Sequence, residues 1–103
     1  MFSLSINMIF WDDGQPNSTR IRNVKYCWKE LKVFTSYLKK EGLNVDCFLY
    51  DFSPEKIIDD SIHIPYPLGE YKKSEKINIM LNRSSSYDFF MMVDCDAFFH
   101  KDA

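Results

Sequence analysis

The sequence predicts an α/β fold: a Rossmann-like, mainly parallel sheet flanked by helices. Three observations carry this expectation. Residues 3–11, 45–50 and 88–93 form alternating or continuous apolar runs of strand length, rich in residues that favour a pleated sheet. Between the first two runs, apolar residues recur at helical spacing, so strand, helix and strand imply a right-handed parallel unit. The third run, Asp88-Phe89-Phe90-Met91-Met92-Val93, is entered through Ser84-Ser85-Ser86 and leads into Asp94-Cys95-Asp96. A buried parallel strand would deliver those carboxylates at its carboxyl end, the edge at which open α/β sheets bind ligands.

Each element has its own justification. Ser3 to Trp11 alternates through Leu4, Ile6 and Met8 before Ile9-Phe10-Trp11, as a first strand does. Asp12 to Ser18 contains Gly14 and Pro16 and reads as a loop. Asn23 is the expected N-cap of a helix carrying Val24, Cys27, Trp28, Leu31, Phe34 and Leu38 on one stripe, closed by Lys39-Lys40 and Gly42. Val45 to Tyr50 is a second strand ending at Asp51. Ser53-Pro54-Glu55 starts a short helix through Ile57-Ile58, with Pro at its first position. Ser61 to Ile64 makes a brief edge strand before the Pro65-Tyr66-Pro67-Leu68-Gly69 turn. From about Glu70 to Ser84, Tyr71, Ile77, Met80 and Leu81 mark a second amphipathic helix.

Composition sets the bounds. At 103 residues, with 46% apolar and 17% aromatic residues, the chain forms one domain with ample material for a core. The net charge of −2, with both signs interspersed, includes no long basic run for nucleic acid and no polybasic membrane patch, so no nucleic-acid partner is expected. Cys27, Cys47 and Cys95 are odd in number and lack CxxC spacing, which fits reduced, partly buried thiols in a cytoplasmic protein. Ser3, Ser5 and Asn7 interrupt the first apolar run, so it is expected to be neither a signal peptide nor a transmembrane segment.

In an extended segment, residues two apart project to the same side. Asp94 and Asp96 can therefore converge on one cation while Cys95 turns away. Two hard oxygen ligands suit Mg²⁺ or Mn²⁺, which such sites hold together with substrate phosphates. The plainer alternative is that the acids mark where a strand leaves the core for solvent.

The first strand, Asp51 closing the second, Lys76-Ile77-Asn78 in a late helix, and Tyr87 to Val93 running into Asp94-Cys95-Asp96 together resemble the nucleotide-sugar-binding half of a GT-A-type glycosyltransferase. In that family an apolar strand leads to a DxD motif holding a divalent cation against the diphosphate of a nucleotide-sugar donor. The resemblance implies Mn²⁺ or Mg²⁺ as cofactor, with Asp96 as the direct metal ligand and Asp94 touching ribose or metal. It also implies Asp51 near the nucleobase, Phe10 and Trp11 lining the base pocket, and Lys76 and Asn78 on the phosphate side. Asp51 as a simple strand end, Trp11 as a core aromatic and Lys76 as a solvated lysine are the structural alternatives. His63 is expected to be a strand residue, and His100 lacks a second ligand at metal-site spacing.

The family continues past the motif into an acceptor-binding half, so a single partial domain over residues 1–103 is expected, either a fragment or a degenerate copy. An open final strand would then favour self-association or a covering partner. The first strand ends in Phe10-Trp11-Asp12-Asp13 and the second in Tyr50-Asp51-Phe52-Ser53, departing from the patterns of the largest inverting family of this fold. Donor sugar and stereochemistry are therefore left open. Asp94-Cys95-Asp96-Ala97-Phe98-Phe99 also resembles the first metal motif of Y-family DNA polymerases, although those enzymes place it near the start of the catalytic domain. A haloacid-dehalogenase-type phosphatase is a second rival, with Phe98 where that family has Thr or Val. A non-enzymatic α/β interaction module is the third.

Overall fold

The computed structural model describes residues 2–11, 18–68 and 72–94. Their elements are β1 (Leu4–Trp11), α1 (Ser18–Lys40), β2 (Val45–Phe52), β3 (Ile62–His63), α2 (Lys73–Arg83) and β4 (Phe89–Asp94). The four strands form one sheet in the order β3-β2-β1-β4, with every pairing parallel. The Rossmann-like arrangement of a parallel sheet flanked by helices is thus present.

The inner position of β1 follows from its composition. It pairs with β2 from Leu4↔Val45 to Trp11↔Phe52, and with β4 from Leu4↔Phe89 to Ile9↔Asp94. Ser5 through Phe10 are all buried, as a strand covered on both faces requires. Ile6, Met8 and Phe10 pack with Val24, Cys27 and Leu31 of α1. On the other face, Ile9 joins Tyr50, Phe52, Tyr66 and Met80 of α2. Strand alternation thus places the two helices on opposite faces of the sheet.

The buried polar residues of β1 are satisfied rather than stranded. Asn7 Nδ2 donates to the carbonyls of Ser5 and Met91, both at 3.2 Å, and its Oδ1 accepts from Ser84 Oγ at 3.2 Å. This network ties β1 to β4 and to the end of α2. At the amino ends of the same two strands, Ser3 N donates to Asp88 Oδ2 at 2.8 Å and Asp88 N donates to Ser3 Oγ at 3.0 Å.

Two local expectations are corrected. Helix α1 begins at Ser18, so Asn23 lies inside it and is not its N-cap. The half-buried Ile21 packs against the same core as Val24, Cys27 and Leu31, extending the apolar stripe toward the amino terminus. The other end is as expected: Gly42 adopts φ 90°, its N–H donates to Lys39 O at 3.0 Å, and Leu43 N donates to Leu38 O at 3.1 Å. This is a Schellman closure. Secondly, residues 53–58 form no helix. The Asp51 carboxylate captures this segment, Oδ2 accepting from Ile57 N at 2.7 Å and Ile58 N at 3.0 Å while Oδ1 accepts from Ser53 Oγ at 2.6 Å. A side chain that satisfies loop amides removes their incentive to form helical bonds.

Among the described residues β4 has no neighbour on its outer side. On the face it shares with α1, Phe89 and Met91 are exposed, and Phe2 stands edge-on to Phe89 at 5.4 Å between ring centroids. No helix among the described residues is long and apolar enough to cross a membrane.

Candidate ligand crevice at the carboxyl edge of the sheet

The strand order creates a reversal point. The chain leaves β1 through α1 to reach β2 on one side, and later returns through α2 to place β4 on the other. In open α/β sheets the crevice outside the carboxyl ends of two such strands is where ligands bind. Here the two strand ends are Trp11 of β1 and Asp94 of β4, Asp94 pairing in register with Ile9, two residues before Trp11. Both helices run back from this edge, so their amino ends and the positive ends of their dipoles face it. At α2, Lys72 has φ 24° and supplies no side-chain cap to the first-turn amides.

Two cations meet at Trp11. Arg20, in the first turn of α1, holds its guanidinium carbon 4.8 Å from the Trp11 ring centroid and 5.0 Å from that of Phe10, and Nη1 donates to Trp11 O. Lys76, in the first turn of α2, holds Nζ 4.9 Å from the Trp11 centroid, 4.8 Å from Tyr66 and 5.9 Å from Phe52. Lys76 is 0% exposed. An ammonium in such surroundings is stabilised by the negative faces of the rings. The side chains of two basic residues thus converge on the aromatic ring that ends β1.

The expected site residues are distributed unevenly. Trp11, Lys76 and Asp94 come to the β1/β4 edge, where Trp11 is half-buried and Asp94 exposed. Phe10 is a core residue of the α1 face, 1% exposed and covered by Arg20. Asp51 is 0% exposed and spends both oxygens on the 53–58 loop. Asn78 is exposed and lies about 200° around α2 from Lys76, away from the buried stripe of Lys76 and Met80. Asp96, Cys95 and His100 lie outside the described residues. His63 is a β3 residue, its Nε2 2.9 Å from Ser53 O.

Sequence reasoning missed Arg20. Its signal was available: a cation just after a strand-to-loop transition, in the opening turn of a helix that starts at the ligand edge. Placing the helix start at Asn23 hid it. Among the described residues no group of three His, Cys, Asp or Glu forms a metal cluster. Cys27 is buried and Cys47 half-buried, neither is in a disulfide among the described residues, and burial pushes the Cys47 thiol up, away from nucleophilic use. No protein-family model, curated protein or solved structure matches this sequence.

Proposed function

We propose that this chain is the donor-binding portion of a GT-A-type glycosyltransferase, taking a nucleoside-diphosphate sugar at the β1/β4 crevice with Mn²⁺ or Mg²⁺. The observation that carries the reading is the strand reversal at β1, which puts Asp94 and the start of the Asp-x-Asp sequence at the ligand edge of a parallel sheet. Asp94 and Asp96 would hold the cation, which supplies charge stabilisation to the departing diphosphate. Trp11 offers an aromatic wall for the base. Arg20 and the positive ends of α1 and α2 favour the phosphates, and Lys76 acts through its field, being too buried to touch a ligand directly.

Calorimetry with UDP- and GDP-linked sugars, with Mn²⁺ and with chelator, tests this. Binding is expected to tighten with the metal, and Asp96→Ala is expected to erase that increment while leaving the circular dichroism spectrum unchanged. Binding that is equal with metal and chelator would remove the bridging role. Metal-dependent binding of free phosphate with indifference to the nucleotide would favour a phosphatase-like site.

A further inference from the structure

Helix α1 has a second, outward face with a distinct chemistry. Its inner stripe is Val24, Cys27, Trp28 and Leu31. The outer positions bring together basic residues that are scattered in sequence: Arg22, Lys25, Lys29, Lys32, Lys39 and Lys40 are all exposed. Glu30 is the sole acid in the helix. Two of these cations are already paired, Lys32 with Asp60 at 2.5 Å and Lys39 with Asp46 at 3.0 Å. Arg22, Lys25, Lys29 and Lys40 make no ion pair among the described residues.

Apolar groups are interleaved with this row. Tyr26 is 53%, Val33 60% and Tyr37 36% exposed. Val33 and Tyr37 line an open depression of about 340 Å³ together with Lys32, Ser36 and Lys40. We infer that the outer face of α1 docks on an anionic lipid bilayer. The proposal goes beyond nucleotide binding and does not depend on it.

Charge and shape select this occupant. The chain as a whole carries −2, so it has no general attraction to polyanions, and the attraction is confined to one face. A planar surface meets one face only. The helix has 23 residues and is about 34 Å long, enough to lie along a membrane with several basic side chains at headgroup level. Lysine stems lie along apolar surface while their ammonium groups reach phosphate, and the tyrosines suit an interface that is apolar on one side and wet on the other. A nucleic-acid backbone would meet the cations equally well but offers no hydrocarbon to Val33, the most exposed apolar residue of the row.

Vesicle flotation of the full chain tests the assignment, using phosphatidylcholine vesicles with and without phosphatidylserine. Partitioning is expected only on the anionic vesicles and should weaken with added salt. Lys25→Gln combined with Lys29→Gln should lower the partition coefficient roughly 25-fold, each lysine near an anionic surface contributing about fivefold. Val33→Ser should reduce the binding that survives high salt, with circular dichroism confirming that both variants fold. Equal partitioning on neutral vesicles, no loss in the double variant, or tighter binding to a duplex oligonucleotide that Val33→Ser leaves unchanged would overturn the proposal.

Discussion

At the scale of single residues, Asp51 shows how a candidate ligand can be a structural clasp. Its position at a strand end made it legible as a carboxylate near the crevice, but its acceptors point to Ser53, Ile57 and Ile58. Asp51→Ala is expected to cost on the order of 3 kcal/mol in urea unfolding, because buried loop amides lose a charged acceptor. Gly42 is simpler. At φ 90° with nothing within 4 Å of an added Cβ, Gly42→Ala should cost about 1 kcal/mol from backbone strain alone. Lys76→Met, which keeps the volume and removes the charge, should weaken nucleotide binding about tenfold if the buried ammonium acts by its field. Calorimetry reads that change, and unchanged affinity would reduce Lys76 to a packing residue.

At the scale of elements, a clasp joins α1, β2 and the segment before β4. Tyr87 Oη donates to Asp46 Oδ2 at 2.6 Å, and Lys39 Nζ approaches Asp46 Oδ1 at 3.0 Å. The Tyr87 hydroxyl, followed by Lys39, holds the Asp46 carboxyl below its ordinary value. Burial, followed by Asp46, pushes the Tyr87 phenol up to about 12. Asp46 therefore contributes stability above its unfolded pKa of about 4, lost as pH falls through its lower folded value. Tyr87 contributes below its unfolded pKa of about 10, lost as pH rises toward 12. Urea midpoints should fall at both extremes, and Tyr87→Phe should flatten both limbs. If the variant keeps the native pH profile, the clasp is not the cause.

Element boundaries show where sequence signals are strong and where they compete. The α1 terminus was readable because Gly42 is needed for its left-handed turn. The start was not, because Asn23 is a good cap in isolation and yields to a core that also accommodates Ile21. The 53–58 segment has a proline-led helix signal, overridden by the Asp51 side chain.

At the scale of the whole molecule, β4 is the consequential element. Its outer backbone edge has no strand neighbour among the described residues, and Phe89 and Met91 face solvent on the α1 side. An exposed edge that is apolar from Phe89 to Val93 invites strand pairing. Sedimentation velocity should show concentration-dependent association that Met91→Lys suppresses with little loss of stability. Met92→Lys, directed to the half-buried α2 side, should instead lower the unfolding midpoint. A chain that stays monomeric at high concentration would show that this edge is not adhesive.

What depends on neighbours along the chain was legible in the residues alone: strands from period-two or continuous apolar runs, α1 and α2 from a 3.6-residue stripe, and a carboxylate at the end of β4. Short-range periodicity records which face each segment buries. Packing placed β4 beside β1 opposite β2, so that Trp11 and Asp94 end neighbouring strands at one edge of the sheet. It also buried Lys76 under Trp11 and Tyr66, and gathered scattered lysines into one face of α1. These are meetings of residues far apart in sequence or separated by helical turns, and they are set by which surfaces pack together rather than by any local pattern.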